Sequence, residues 1–250
     1  MKTEWDYTNL AEAYLKRPDY AQKAIDKMLS IVEAKEGDEV CDIGAGVAHL
    51  TIMLANKKLN VTAVEPNDAM RTNGMKRTKL LTNVKWYEGV GEHTEQPSNK
   101  FKLVTFGSSF NVCNRQEALA ESQRILAENG WFACMWNHRD LNDPIQKKIE
   151  EIIKSYIPEY SYGTRREDQT EEIKRSGCFE AIKKISENVI HSVSKEDIVE
   201  AWRSHGTLER QAGDKFEMII KDIEIYINSL GEGGINIPYT TRIWMAKVKK

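Results

Sequence analysis

Two hydrophobic patterns alternate along residues 36–136: short, uninterrupted apolar runs, and longer segments in which apolar residues recur at helical spacing. Uninterrupted apolar runs are typical of strands that are covered on both faces. They predict strands at residues 39–43, 60–64, 84–88, 103–106 and 131–136. Helical spacing predicts helices over residues 48–58, from 66–68 to about 79, and 115–126. Strands alternating with helices in this way predict an α/β fold with a parallel, doubly wound sheet.

The pattern changes after Trp136, where helices predominate. Apolar periodicity and capping residues predict helices near 144–156, 167–176, 194–203 and 213–230, with strands within 179–190 and 239–248. Ser194 and Asp197 match the Ser-x-x-Asp pattern of a helix start. Asn129-Gly130 is predicted to end the preceding helix as a C-cap.

The amino-terminal segment is predicted to be helical, with a boundary at Pro18 and with Asp19 capping the second helix. These patterns predict one domain of 250 residues. Its parts are an amino-terminal cap (1–35), a core (36–138), a lid with the remaining strands (139–235) and a final strand (236–250).

Composition narrows the class of protein. With 40% hydrophobic and 30% charged residues the chain has the composition of a globular protein, and its net charge of −2 gives no electrostatic signature of nucleic-acid or membrane-surface binding. The first seven residues lack an apolar signal-peptide core. Cys41 and Cys134 fall within apolar strand patterns, and no C-x-x-C occurs, so buried free thiols and a cytoplasmic location are expected.

A glycine turn follows the first predicted strand, in the pattern Asp42-x-Gly44-x-Gly46-x-Ala48. The third glycine of a dinucleotide-binding turn would fall on His49, and no Gly-Lys-Ser/Thr follows, so neither an NAD or FAD site nor a Walker loop is indicated. A tight turn without a ligand remains an alternative.

Glu65 ends the second predicted strand. A carboxylate at this place can accept two hydrogen bonds from the vicinal hydroxyls of a ribose. Together with Asp42, and with no arginine clamp nearby, it favours a positively charged nucleoside that carries little phosphate. S-adenosylmethionine meets both conditions.

At this point the chain resembles the class I S-adenosylmethionine-dependent methyltransferases, in the broad type 11 group of small-molecule enzymes that includes trans-aconitate methyltransferase-like proteins. The likeness is carried by Val40–Thr51, Val61–Met70, Glu88–Pro97, Leu103–Asn114, Glu117–Trp136 and Tyr14–Tyr20, and more weakly by Trp136–Asp140 and Ile237–Thr241. The resemblance implies a Rossmann-like sheet of seven strands, mostly parallel with the last strand antiparallel, under a helical lid.

The resemblance also implies roles for individual residues. Asp42, Gly44, Ala45 and Gly46 would lie at the methionine part of the cofactor, and Glu65 at the ribose. The adenine side would be formed by Pro66, Asn67, Met70, Gly91 and Glu92. Ser108, Ser109 and Phe110 would face cofactor and acceptor, and Tyr14 and Arg17 would close over the methionine carboxylate.

Three departures from the family pattern leave the acceptor open. Ala48 stands at a common glycine, Lys102 at a frequent acidic position, and Phe110-Asn111-Val112 where an aromatic-histidine-tryptophan run often occurs. His138 and Arg139, which end the fifth strand, are candidates for the catalytic base or for acceptor positioning. Arg165, Arg166 and Arg203 are candidates to hold an acceptor carboxylate, and His205 is a candidate acceptor contact; a structural role remains open for each.

The sequence therefore predicts transfer of a methyl group to a small-molecule O-, N- or carboxyl acceptor by in-line displacement, driven mainly by proximity and desolvation. No metal, nucleic acid or membrane partner is expected, and the chain is expected to be a monomer or homodimer. Methylation of RNA or protein, or binding of S-adenosylmethionine without catalysis, are the alternatives.

Overall fold

The computed structural model, which describes residues 6–250, contains one seven-stranded sheet with the order β3-β2-β1-β4-β5-β7-β6. The strands are β1 (Glu39–Ile43), β2 (Asn60–Val64), β3 (Val84–Tyr87), β4 (Phe101–Gly107), β5 (Leu126–Arg139), β6 (Phe179–Val193) and β7 (Ile235–Val248). Strands β1 to β5 pair in parallel, while β7 pairs antiparallel with both β5 and β6. The predicted fold class is confirmed.

Helices connect the strands and cover both faces of the sheet. They are α1 (Ala11–Tyr14), α2 (Gln22–Val32), α3 (His49–Ala55), α4 (Asp68–Thr78), α5 (Arg115–Ile125), α6 (Pro144–Tyr156), α7 (Thr170–Arg175), α8 (Lys195–Arg203), α9 (Gly206–Ala212) and α10 (Phe216–Ser229). The cap on α8 is as predicted, because the Ser194 side chain accepts from the Asp197 amide. The first five positions of the predicted amino-terminal cap lie outside the described residues.

Two local predictions were wrong, and one helix was missed. Asp19 does not cap α2, which begins after Ala21; its carboxylate instead contacts the His49 ring, with 2.8 Å between Oδ1 and Nδ1. Asn129-Gly130 does not end α5, since Leu126 is already extended and pairs with Phe101 of β4. The helix predicted over 213–230 is present as a 3₁₀ turn at Gly213–Lys215 that runs directly into α10, whereas the separate α9 before it was missed.

The apolar strand runs separate into two buried layers. Val40 and Leu103 face the layer formed with α2 and α3, whereas their neighbours Cys41 and Val104 face the layer formed with α5. Successive side chains of a strand point to opposite faces, so a strand covered on both sides must be apolar at consecutive positions. Cys41 and Cys134 are buried and free, as expected.

A third buried layer lies among α6, α8, α9 and α10, which we call the helical cluster. It contains Ile153, Trp202 and Ile223, and it continues onto β7 through Ile237 and Tyr239. The helical cluster thus packs against the first residues of β7. Among residues 6–250, none of the helices has the length and apolar character needed to cross a membrane.

The assignment of the two buried layers on the faces of the sheet can be tested by measuring stability. Leu103→Ala removes a fully buried side chain from the centre of the sheet and should lower the free energy of unfolding by about 2–5 kcal/mol, through lost burial and a residual cavity. Leu80→Ala is the matched control, because Leu80 is 85% exposed and its loss should change stability by less than about 0.5 kcal/mol. Urea denaturation of both variants measures the difference; equal midpoints would contradict the assigned core.

Candidate functional site

A cavity of about 170 Å³ lies at the carboxyl ends of β1, β2, β4 and β5. Strand β1 is the point at which the strand order reverses, with β2 on one side and β4 on the other. In open parallel sheets, the loops on the two sides of such a point leave in opposite directions and open a crevice. The walls of this cavity come from those loops, from the amino-terminal segment and from the helical cluster.

The glycine turn after β1 forms the floor of one end. Gly44 has a φ of 66°, and a Cβ at this position would lie 2.4 Å from Cβ of Ser109, so only glycine fits. The amides of Gly44 and Ala45 both donate to the carbonyl of Val64, at 2.8 and 3.1 Å. The turn is therefore held against the end of β2.

Glu65 completes this connection. Its Oε2 accepts from the Gly46 amide and its Oε1 accepts from the Asn67 amide, each at 2.9 Å. Burial raises the pKa of Glu65 to about 7, although both amide donors act in the opposite direction. Because a carboxylate oxygen can accept more than one hydrogen bond, both oxygens keep capacity for a further donor.

Asp42 lies beneath the turn and is 1% exposed. Its two oxygens accept from the hydroxyls of Thr51, at 2.6 Å, and Thr105, at 2.9 Å. Burial raises the pKa of Asp42 to about 6 despite these donors. Asp42 and Glu65 thus give this end of the cavity its acidic character.

Residues 7–20, which we call the amino-terminal segment, cover the cavity and are held there through polar contacts. His49 contacts this segment twice, through Asp19 and through the carbonyl of Tyr14, at 2.9 Å from Nε2. Tyr20 shares a hydrogen bond of 2.9 Å with Ser108, and Arg17 donates to Ser204 in the helical cluster. His49, which replaces the third glycine of a dinucleotide turn, thereby fastens the amino-terminal segment.

The opposite end of the cavity is cationic and aromatic. Arg139 is the last residue of β5, and its guanidinium carbon lies 4.3 Å from the ring centroid of Trp202. Arg165 donates to Nε2 of His205 at 3.0 Å. Burial lowers the pKa of His205 well below its usual value, and the charge of Arg165 is the second cause. The ring is therefore neutral near pH 7.

Most of the predicted site residues line this one cavity: Tyr14, Arg17, Asp42, Gly44, Ala45, Gly46, Glu65, Pro66, Asn67, Met70, Gly91, Glu92, Ser108 and Arg139. Arg165, Ser109 and His205, which the sequence also raised, line it as well.

Phe110 and His138 do not line the cavity. Phe110 is fully buried, edge-on to Phe106 and Phe132, in the layer beneath the sheet. His138 alternates with Asn137 and Arg139 along β5, so it faces away from the cavity and contacts the carbonyl of Arg165 at 2.9 Å. Burial lowers its pKa to about 3. The prediction of His138 as a base is therefore wrong.

Two further candidates are held elsewhere. Arg203 pairs with Glu200 and Glu217. Arg166 donates to the carbonyl of Arg139 and lies over the ring of Tyr162. Neither lines the cavity.

Sequence reasoning missed several lining residues, including Tyr7, Tyr20, His49 and Asn137. Tyr20 and His49 stood in motifs that were singled out for other reasons. Asn137 could have been found from strand alternation, since it is two positions from Arg139 on the same strand. Tyr7 reaches the cavity only through the path of the amino-terminal segment and leaves no local signal.

Two departures from the family pattern have local explanations. Asn111 accepts from the indole nitrogen of Trp136 at 2.9 Å and so satisfies a buried donor. Lys102 bonds the carbonyl of Glu33 and pairs with Asp38, away from the cavity lining.

Comparisons with known proteins agree with this architecture. A methyltransferase domain family of type 11 matches residues 41–134. A ubiquinone/menaquinone biosynthesis C-methyltransferase of Zymomonas mobilis is 31% identical over 113 residues, which are 44% of this chain and 47% of that protein. The chain thus spans about half the length of the first curated relatives it matches.

Two solved structures share the fold at low sequence identity. A structure described as a putative type II methyltransferase from Anaeromyxobacter dehalogenans has a TM-score of 0.64 and 15% identity, covering 92% of this chain and 97% of that one. Phosphoethanolamine N-methyltransferase 2 of Haemonchus contortus, solved with S-adenosyl-L-methionine, has a TM-score of 0.57 and 13% identity, covering 100% and 59%. With this strand order, glycine turn and matched domain, the chain has the class I S-adenosylmethionine-dependent methyltransferase fold, and its residues 41–134 match the type 11 methyltransferase domain.

Proposed function

We propose that this protein transfers a methyl group from S-adenosylmethionine to a small-molecule acceptor. The observation that carries the proposal is a single covered cavity whose acidic end is built on the glycine turn and Glu65 and whose other end is lined by Arg139 and Arg165. One end suits a cationic nucleoside, and the other leaves room for an acceptor beside it.

The residues at the acidic end fit the proposed cofactor. Glu65 has acceptor capacity left on both oxygens for the two ribose hydroxyls, and Asp42, which lines the same end, would supply negative charge for the amino group of the methionine part. Pro66, Met70 and Gly91 provide a largely apolar surface for the adenine. When bound, S-adenosylmethionine supplies a methyl group on a positively charged sulfur, whose departure leaves a neutral thioether.

The protein's part in such a reaction is mainly placement. Displacement at a methyl group requires the attacking atom in line at roughly 3–3.5 Å, in a site that excludes water. The amino-terminal segment and the helical cluster provide that cover through Tyr14, Arg17 and His205. His138 does not reach the cavity, and Nε2 of His205 already accepts from Arg165, so neither ring offers a free base.

The same cover favours a small acceptor over RNA or protein. A macromolecular target needs an open surface, whereas this cavity is lined on its upper side by residues from both covering segments. Methylation of RNA or protein and idle binding of S-adenosylmethionine remain the alternatives that the experiments below distinguish.

Glu65→Gln tests the cofactor site. Glutamine keeps the shape but turns an acceptor oxygen into an NH₂ group, which must face a backbone amide or a ribose hydroxyl. We expect the dissociation constant of S-adenosylmethionine, measured by isothermal titration calorimetry, to rise at least about tenfold, or ~1.4 kcal/mol. Glu36→Gln, at an exposed residue paired with Lys58, should leave it unchanged. Equal affinity in both variants would show that the cofactor site is misassigned.

The pH dependence of binding tests the same carboxylate. Because the pKa of Glu65 in the free protein is raised to about 7, its proton must be lost before both oxygens can accept from the ribose. Affinity for S-adenosylmethionine should be constant above about pH 7 and fall below it by up to about tenfold per pH unit. Glu65→Gln should abolish this fall near pH 7; a wild-type profile that is flat from pH 8 to pH 6 would contradict the coupling.

Transfer of label tests the acceptor class. Incubation with methyl-tritiated S-adenosylmethionine and separated cell fractions should place the label in the small-metabolite fraction. Label in RNA or protein would overturn the small-acceptor proposal. Cofactor binding without label in any fraction would favour the idle binding protein.

A further inference from the structure

Some arginine side chains that line the cavity have no carboxylate within salt-bridge distance among residues 6–250. Within residues 6–250, neither Arg139 nor Arg165 has a carboxylate within salt-bridge distance. Arg17, which also lines the cavity, donates to the hydroxyl and carbonyl of Ser204 and lies over the ring of Tyr14. Elsewhere arginines such as Arg124 and Arg203 are paired with glutamates. Arg17, Arg139 and Arg165, which all line the cavity, therefore carry charges that no carboxylate of residues 6–250 pairs within salt-bridge distance.

Arg165 shows the imbalance most clearly. One terminal nitrogen donates to His205, but its Nε is buried and has no hydrogen-bond partner. Burial first, and then the charge of Arg17, lowers the pKa of Arg165 to about 10. A buried charged donor that is left unpaired costs free energy, and folded proteins normally pair such groups.

Arg139 is held in place without being neutralised. Its guanidinium lies over Trp202 and, at 5.6 Å, near the ring of Tyr239. Aromatic faces attract a cation and fix its position, yet they leave its N–H groups free to bind an anion. Both arginines also lower the pKa of His205, which shows that the three groups act on one another at this end.

This cationic end is separate from the end proposed for the cofactor. Glu65 follows β2 and Arg139 ends β5, and the strand order places β1 and β4 between them. Neighbouring strands lie about 4.8 Å apart, so the two residues are roughly 14 Å apart across the sheet. The acidic and cationic groups therefore face different parts of a bound pair of ligands.

We propose that Arg139 and Arg165 form a binding site for an anionic group of the acceptor, a carboxylate or a phosphate. That the bound anion belongs to the methyl acceptor rests on the proposed function, while the anion site itself follows from the unpaired arginines. A guanidinium donates two parallel hydrogen bonds to either anion, so the arrangement selects the charge and leaves the choice between them to the rest of the cavity. The acceptor is thus a small acid, oriented by its negative charge.

The test uses simple anions as probes on the complete chain loaded with S-adenosylhomocysteine, so that the methionine carboxylate already occupies its own place. Malonate and inorganic phosphate are titrated by calorimetry, with malonamide as the uncharged match for malonate. We expect saturable binding of at least one anion and none of malonamide. The tighter of the two anions identifies the group that the site prefers.

Variants locate the site. Arg139→Gln and Arg165→Gln should each weaken anion binding about tenfold, or ~1.4 kcal/mol, while the affinity for S-adenosylhomocysteine stays within about threefold. Arg203→Gln is the matched control, since Arg203 is outside the cavity and paired with glutamates, and it should bind the anion as the wild type does. Thermal unfolding of each variant establishes that it is folded, and either arginine variant alone suffices.

Several outcomes would overturn the anion site: no saturable anion binding, equal binding of malonamide, or unchanged binding in both arginine variants. If the protein does not bind S-adenosylhomocysteine, the proposed function fails on its own. The same titrations on the free chain with the same variants then still decide whether Arg139 and Arg165 hold an anion.

Discussion

The hydrogen bonds of the Glu65 carboxylate hold the site together. One oxygen binds the glycine turn that follows β1, and the other binds the loop that follows β2. Parallel strands bring these two loops to the same edge of the sheet, where the amides of Gly44 and Ala45 donate to the Val64 carbonyl and Glu65 supplies the acceptor for the Gly46 amide. The cost of burying this carboxylate appears as its raised pKa. The end of the cavity proposed for S-adenosylmethionine is therefore held in shape by the protein's own hydrogen bonds.

From Glu65 the cavity extends across the sheet, and the side chains that line it change from acidic to cationic. Acidic groups lie at the ends of β1 and β2, while Arg139 lies at the end of β5 and Arg165 beside it. In a low-dielectric cavity such a difference orients ligands more strongly than it would in water. Orientation is the main requirement of a methyl transfer, because the reaction needs alignment and dryness more than it needs a reactive side chain.

The sequence predicted what depends on local pattern. Consecutive apolar positions defined the strands, and the spacing of Gly44, Gly46 and Glu65 defined the acidic end. It failed where tertiary contacts decide: Asp19 contacts His49 instead of capping α2, and Tyr7 reaches the cavity only through the path of the amino-terminal segment. His138 was misassigned because position at a strand end was considered without the alternation of side chains. The long-range path of the chain, not the residue types, supplied the missing information.

The attachment of the amino-terminal segment has a consequence for access to the site. Residues of this segment are fastened by separate polar contacts, to His49, to Ser204 and to Asn137, with only a small apolar cluster around Ala11 and Met70 beneath them. Hydrogen bonds of this kind contribute about 0.5–3 kcal/mol each, the larger values applying to charged partners, whereas the layers around the sheet are stabilised by extensive burial. We therefore expect this segment to open locally before the layers around the sheet unfold. Ligand exchange through such an opening would be a local unfolding event, and its frequency would depend on the strength of these polar contacts.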